Sequence, residues 1–268
     1  MREIKEINVV HHYLMDIAKA VNSILAKHKI PFVMAYGTML GAIRHKGFIP
    51  WDDDMDFYVP FSRYDEIFEI LHKELQFPYE VVSYKTHRNC HIPFFKVQDV
   101  RTCLDDKGSY NRLEDNLGIN IDLFPVTFVD PGDSLINRYK RIKRLQRLIY
   151  ARDVYSRWYT EPMKKIFRLI CPISEKKFND VLNSLPLKFL KGDMAFSFGA
   201  SQRYNEILPK IFFEKIKLYS FEDCSFWGAE DADGYLKTYY GDYMRLPPED
   251  KRQWHADGIY DRENVSAV

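Results

Sequence analysis

Apolar residues at Ile4, Ile7, Val10, Leu14, Ile17, Val21 and Ile24 recur every three or four positions, which predicts an amphipathic helix closing before Pro31. Residues 32–36 are short and apolar and read as a strand, with Gly37 opening the turn after it. The run Met55, Phe57, Tyr58 and Val59 is threaded by Asp54 and Asp56, as expected of a strand with one polar face. Ser62, Arg63, Tyr64 and Asp65 have capping-box form. The helix they announce carries Tyr64, Ile67, Phe68, Leu71 and Leu75 on one face and ends by Pro78. Strands are predicted over 79–84, 93–102 and 119–124, with a polar, turn-rich loop over 105–116. Residues 55–59, 94–100 and 119–124 are expected to form the middle of one mixed sheet.

The composition changes after Pro131. Residues 138–152, RYKRIKRLQRLIYAR, hold seven Lys or Arg and no acid, with Ile142, Leu145, Leu148 and Ile149 at helical spacing. Such a helix is either a packed element with a basic outer face or a surface for an anionic polymer or membrane. More helix follows over 164–190, interrupted by Pro172 and Pro186. Short strands are read at 194–199 and 211–213, a hairpin over 217–227 around Glu222 and Asp223, and a helix over 233–241 stopped by Gly241. The expected architecture is α+β, a mixed β-sheet core flanked by helices. It divides into a catalytic core (1–130), a basic helical insertion or subdomain (131–190) and a C-terminal part (191–268).

Length and composition narrow the field. The 268 residues are 46% hydrophobic, enough for a sizeable core. A net charge of +1 gives no global attraction to nucleic acid. The four cysteines, Cys90, Cys103, Cys171 and Cys224, form no C-x-x-C pair and read as reduced thiols. The first residues, MREIKEINVV, do not resemble a signal peptide, and no apolar run approaches the ~20 residues of a membrane span. A cytoplasmic protein is expected, with peripheral contact at the inner membrane surface through the basic stretch.

The candidate chemistry lies in the acids. Asp52, Asp53, Asp54 and Asp56 fill four of five positions. Carboxylates this close repel one another and are costly to bury unless something neutralises them. Residues i and i+2 of a strand share a face, so Asp54 and Asp56 project together. Asp122 sits alone in the apolar run Ile121, Asp122, Leu123, Phe124 and offers a third carboxylate from a neighbouring strand. Three such acids suit a hard divalent cation: Mg²⁺, with Mn²⁺ as its substitute. The plain alternative is a solvated acidic turn. Gly37 and Thr38 suit a phosphate approached closely by backbone. Arg44 offers a bidentate fork to phosphate, or belongs with His45 and Lys46 to a solvated basic loop. Trp51 is a packing residue or a ring beside the site. His11, His12 and His28 read as surface or packing residues, since no His-x-x-x-His pair is present.

The segment from Gly37 through Gly41-Ala42-Ile43-Arg44 and Pro50-Trp51-Asp52-Asp53-Asp54-Met55-Asp56 resembles the LicD family, as does the late block Tyr240-Gly241-Asp242-Tyr243-Met244 with Pro247, Pro248 and His255. These are bacterial phosphocholine transferases, with fukutin and fukutin-related protein as distant eukaryotic relatives. The resemblance implies a nucleotidyltransferase-like fold and transfer of phosphocholine from CDP-choline to a sugar hydroxyl of a glycan or lipid-linked oligosaccharide, of teichoic acid or lipopolysaccharide type, with release of CMP. It implies Asp54, Asp56 and Asp122 as catalytic metal ligands, and Gly37, Thr38, Arg44 and Lys96 along the donor phosphates. His255 and Trp51 are further candidates near the site. Choline calls for an aromatic box, for which Trp51 and Trp227 are candidates. Three rival readings use the same residues: a transferase of another CDP-alcohol such as CDP-ribitol, an NTP-dependent nucleotidyltransferase, and an inactive glycan-binding scaffold.

Overall fold

The computed structural model describes residues 1–83, 85–87, 94–105, 117–130, 192–197, 207–256 and 258–262, with isolated positions 132, 134, 137, 141, 165, 166, 169 and 170. The predicted loop over 106–116 lies outside the described residues, as do the basic helix over 138–152 and the helices over 164–190 apart from those isolated positions.

A two-residue strand, β1 (Arg2–Glu3), leads into α1 (Ile7–Lys27), β2 (Val33–Met34), α2 (Tyr36–Arg44), β3 (Asp56–Pro60), α3 (Tyr64–Glu74), β4 (Tyr79–Val82), β5 (Phe95–Asp99), β6 (Thr102–Asp105) and β7 (Asn120–Val129). After the insertion come β8 (Met194–Ser197), β9 (Ile207–Pro209), α4 (Ile211–Glu214), β10 (Ile216–Phe221), β11 (Cys224–Ala229), α5 (Ala232–Tyr240) and β12 (Gly258–Asp261). The apolar stripe read in the sequence is the buried face of α1, where Val10, Leu14, Ile17, Val21 and Leu25 are fully enclosed. Among the described residues no helix is long and apolar enough to cross a membrane.

The large sheet runs β10-β11-β2-β3-β7, and β7 is long enough to pair twice along its far edge. Its first half takes β5 and then β4, and its second half takes β8 and then β9. The β3–β7 and β11–β2 pairs are parallel and the others antiparallel, so the sheet is mixed and the fold is α+β. A small antiparallel sheet sets β12 between β1 and β6, joining the two ends of the chain.

One row of the large sheet places the chemistry. Asp56 lies opposite Asp122 across β3 and β7, and Asp122 lies opposite Lys96 across β7 and β5. Neighbours in register share a face, so these three polar groups stand side by side. One residue further along, Phe57, Leu123 and Phe95 form the matching row on the reverse face, and all are buried. There Phe57 stacks on Phe32 at 3.7 Å and meets Phe226 edge-on at 5.3 Å, while Tyr64 of α3 stacks on Phe95 at 4.6 Å. Period-two alternation therefore divides β3 into a core face and a chemical face.

Several local expectations change. Residues 32–36 shorten to β2, because Tyr36 turns to a positive φ of 37° and begins α2. Gly37 thus sits in the first turn of a helix instead of a free turn. The capping box at Ser62 does not form: a 3-10 turn over Phe61–Arg63 precedes α3, and Arg63 pairs with Glu66 at 2.6 Å instead. The strand over 93–102 breaks at Val100 and Arg101. The buried Asp99 carboxylate accepts the Arg101 N–H at 2.9 Å there and turns the chain into β6 of the other sheet. Residues 211–213 are helical, and the strand expected there lies just upstream as β9.

Phe57 is enclosed between Phe32 and Phe226 at the centre of this core, so Phe57→Ala is expected to cost about 3–5 kcal/mol. Urea denaturation at neutral pH measures it directly.

Candidate active site

The acidic run leaves the loop after α2 and enters β3, and several hydrogen bonds fix its path. Asp56 N–H donates to Thr38 Oγ1 at 2.8 Å, Ala35 N–H to the Asp56 carbonyl at 2.9 Å, and Asp122 N–H to the Met55 carbonyl at 2.9 Å. The Asp52 carbonyl lies 2.8 Å from His11 Nε2, which must donate because a carbonyl only accepts. His11 also stacks on Phe48 at 3.9 Å, and burial holds its pKa below the ordinary value. The packing role expected of His11 is realised, in direct support of the acids. Met55 is buried, and Asp54 on the other side of the chain is 46% exposed at the rim of the cleft.

The cleft, about 260 Å³ in volume, has a polar wall of Asp53, Asp54, Lys96, Asn120, Asp122 and His255. Leu104, Leu117 and Ile119 form its apolar side. Lys96 Nζ donates to Asp122 Oδ1 in a close ion pair and to Asn120 Oδ1 at 3.0 Å. His255 Nδ1 stands 3.0 Å from Asp53, 3.5 Å from Asp54 and 3.7 Å from Asp52.

Burial and mutual repulsion set the electrostatics. Burial pushes Asp56 well above the usual carboxylate range, and Asp54, Asp122 and Asp52 push it further. Asp52 rises for the same reasons, with Asp54 the larger of its acidic neighbours. Asp54 rises to about 6, crowded by protein atoms in the cleft though its side chain is 46% exposed, and His255 opposes the rise. Burial raises Asp122 against the pull of Lys96. Burial also works to raise Asp53, but hydrogen bonds from His255 and Ala256 overcome it and hold the group low. His255 is raised to about 9, first by its hydrogen bond to Asp53 and then by Asp54 and Asp52.

These donors suit a hard cation. Four carboxylates crowd one face with too little positive charge beside them, and oxygen is their dominant ligand atom. The ligand atoms of Asp52, Asp54 and His255 lie within 4.8 Å of one another. Of the grouping expected from the sequence, Asp56 and Asp122 are cross-strand neighbours, and Asp54 is near enough to raise the proton affinity of Asp56. The two sets share Asp54.

The remaining sequence candidates are distributed around this centre. Thr38 is buried and braces the start of β3. Gly37 makes room for an acid: a Cβ there would lie 2.8 Å from Asp52 Oδ2. Arg44 reaches the C-terminal block, donating to the Tyr243 carbonyl at 2.7 Å and to His45 Nε2 at 2.9 Å. The Trp51 ring carries the Arg252 guanidinium at 5.1 Å. Trp227 stands partly exposed on β11. Sequence reasoning did not single out Asp52 or Asp53. Period-two extension from Asp54 and Asp56 points to Asp52, whereas Asp53 takes its partners from residues 202 and 203 positions away, which no local pattern encodes.

A protein family described as LicD/FKTN/FKRP, nucleotidyltransferase domain, matches residues 29–186. The chain is 26% identical over 254 residues to the lipopolysaccharide cholinephosphotransferase LicD of Haemophilus influenzae, an alignment spanning 90% of this chain and 92% of that protein. An uncharacterized protein of Rickettsia prowazekii is 32% identical over 92 residues, covering 34% of this chain and 31% of its own length. A counterpart in Rickettsia typhi is 35% identical over 79 residues, covering 29% of this chain and 25% of its own.

Because the folded pKa of His255 lies above its ordinary value of 6.5, its contribution to stability is complete below about 6.5 and lost as pH rises through about 9. Melting temperatures taken from pH 6 to 10 should fall across that window, and His255→Gln should flatten the fall. Gly37→Ala is expected to fold, because the clashing Asp52 carboxylate is the free end of a side chain and can move aside. Activity should drop while the urea midpoint changes little, and a midpoint loss as large as that of Phe57→Ala would assign Gly37 to packing alone.

Proposed function

We propose that this chain, which belongs to the LicD/FKTN/FKRP nucleotidyltransferase-domain family, is a metal-dependent phosphotransferase that moves phosphocholine from CDP-choline to a sugar hydroxyl of a cell-surface glycan and releases CMP. The observation that carries this reading is the register row Asp56, Asp122, Lys96 beside Asp54, in a chain aligned almost end to end with a lipopolysaccharide cholinephosphotransferase.

The acceptor oxygen forms a new bond to phosphorus as the bond to the CMP oxygen breaks, and the hydroxyl proton leaves to a base. Phosphoryl transfer of this kind asks the protein mainly for placement and charge neutralisation. Asp54, Asp56 and Asp122 would hold Mg²⁺ or Mn²⁺, with Asp52 as a further donor. Bound there, the cation neutralises the diphosphate oxygens of the donor. Lys96, already a donor within the cleft, supplies a second positive charge at that wall. Asp122 would complete the cation's shell or, with its proton affinity raised by burial, take the hydroxyl proton. Arg44 secures the Tyr243 segment, Thr38 braces the Asp56 backbone and Gly37 leaves room for Asp52.

Lipopolysaccharide is the first acceptor to test, given the Haemophilus protein's name, and a teichoic acid unit the second. A CDP-linked donor places the reaction on the cytoplasmic side, where the basic stretch over 138–152 would meet an acceptor held at the membrane.

The purified chain with Mg²⁺, CDP-choline and a lipopolysaccharide oligosaccharide is expected to release CMP, and EDTA should stop it. Asp54→Ala, Asp56→Ala and Asp122→Ala should each lose about 100-fold or more, the scale of removing one preorganised charge. If all three fold and turn over like the parent, the assignment is wrong. Turnover of CDP-ribitol in preference to CDP-choline would move the substrate to another CDP-alcohol.

A further inference from the structure

Asp53 stands apart from its acidic neighbours. Its Oδ1 accepts the His255 N–H at 2.8 Å and lies 3.0 Å from His255 Nδ1, and its Oδ2 accepts the Ala256 N–H at 3.0 Å. The side chain is 3% exposed. Both oxygens are thus engaged by two consecutive residues from the far end of the chain, in charge-assisted bonds of the stronger kind. Asp53 lines the same cleft as Asp54, and its hydrogen bonds to residues 255 and 256 set it apart from the other acids.

The residues that Asp53 holds belong to a strap, residues 242–256, of which His255 and Ala256 line the cleft. Arg44 grips it at the Tyr243 carbonyl, Arg252 lies over Trp51, and β12 continues it into the small sheet. At Asp53 the strap meets the acids themselves, and the contact leaves His255 Nδ1 within 3.7 Å of Asp52 and 3.5 Å of Asp54. His255 is otherwise 69% exposed, so little besides Asp53 fixes the imidazole.

We propose that Asp53 is a positioning residue that takes no part as a cation ligand. Its carboxylate is the receptor for the 255–256 backbone and sets His255 over the Asp52 and Asp54 carboxylates. Three of its about four lone-pair sites are taken, two on Oδ1 by His255 and one on Oδ2 by the Ala256 N–H, in a side chain only 3% exposed. The inference rests on the reading of Asp52 and Asp54 as cation-facing groups, and the experiment separates the two.

Parent, Asp53→Asn, Asp53→Ala, His255→Ala and the double variant Asp53→Ala/His255→Ala are compared in three measurements. In calorimetric titration with Mn²⁺, Asp53→Ala should bind within about threefold of the parent, and Asp54→Ala at least about thirtyfold more weakly. Hydrogen exchange at the 255 and 256 amides should quicken in Asp53→Ala, and less so in Asp53→Asn, which keeps one acceptor oxygen. With CDP-choline, Asp53→Ala and His255→Ala should each lower kcat with KM little changed, and the double variant should be no worse than the weaker single. Cation affinity lost in Asp53→Ala as deeply as in Asp54→Ala would make Asp53 a ligand and overturn the proposal. Multiplying losses in the double variant, or unchanged exchange at 255 and 256, would overturn it as well. A parent that neither binds Mn²⁺ nor turns over defeats the reading of the site, and the exchange measurement then decides the clamp by itself.

Discussion

Like charges held on one face of a sheet are the constraint from which the rest of this structure follows. Asp56 and Asp122 are cross-strand neighbours, and like charges placed directly opposite destabilise a sheet. Asp54 and Asp52 add to the repulsion, and burial raises the proton affinity of all four. Among the described residues, Lys96 and His255 reduce the cost, and Arg44 adds its charge opposite Asp52. Lys96 is matched to Asp122 by strand register, and the His255 imidazole is delivered by the strap. Neither disposes of Asp56, which lies at the centre of the row. A sheet selected for stability alone would place an apolar residue there, as it does one position later at Phe57. Retained repulsion of this kind is the feature on which the proposed cation site rests.

The surroundings are built to keep that face from relaxing. Two residues beyond the acids on the same side, Tyr58 and Phe124 meet the Tyr36 ring edge-on at 5.3 and 5.5 Å. The Tyr58 hydroxyl is within 3.0 Å of Tyr239 and 3.2 Å of Tyr235 on α5. Tyr235 in turn accepts the Tyr36 N–H at 3.0 Å, at the residue where the backbone takes its unusual φ. Positive φ at a bulky residue is costly and persists only when its surroundings over-determine it. Here the ring contacts and that hydrogen bond do so, and they put α2 where Thr38 can brace Asp56 and Gly37 can admit Asp52. The strain at Tyr36 and the crowding of the acids are parts of one arrangement.

Legibility in the sequence divided along the same lines. The central strands and their mixed pairing follow from period-two alternation around Asp54, Asp56 and Asp122, and the structure sets Asp122 beside Asp56. The α1 stripe, the Glu222–Asp223 hairpin and the Gly241 stop were equally plain, because each is encoded by residues close in sequence. Failures came where a particular side-chain contact or a shifted element, near or far in sequence, overrode the local pattern. Ser62 lost its capping role to an Arg63–Glu66 pair, Asp99 bent a strand into a second sheet, and residues 211–213 wound into a helix after β9. Asp53 belongs with these failures. In the sequence it is one acid of four, and only contacts with residues 255 and 256 distinguish it.

The division of labour between sheet and strap has a consequence for how such a site works. Acids on β3 and β7 are held by the ladder of the sheet, whose loss means loss of the core, so their geometry is as stable as the fold. The imidazole comes from a segment joined to the site by Asp53, Arg44 and the Trp51 face, and packed on the core through Tyr243, Trp254 and Ala256. In the proposed reaction, charge neutralisation and positioning of the phosphates would rest on the sheet. His255 stands against three acids at once and lessens their mutual repulsion. A cation bound at the proposed site would answer the same electrostatic need, and the pull on His255 should weaken as that need is met.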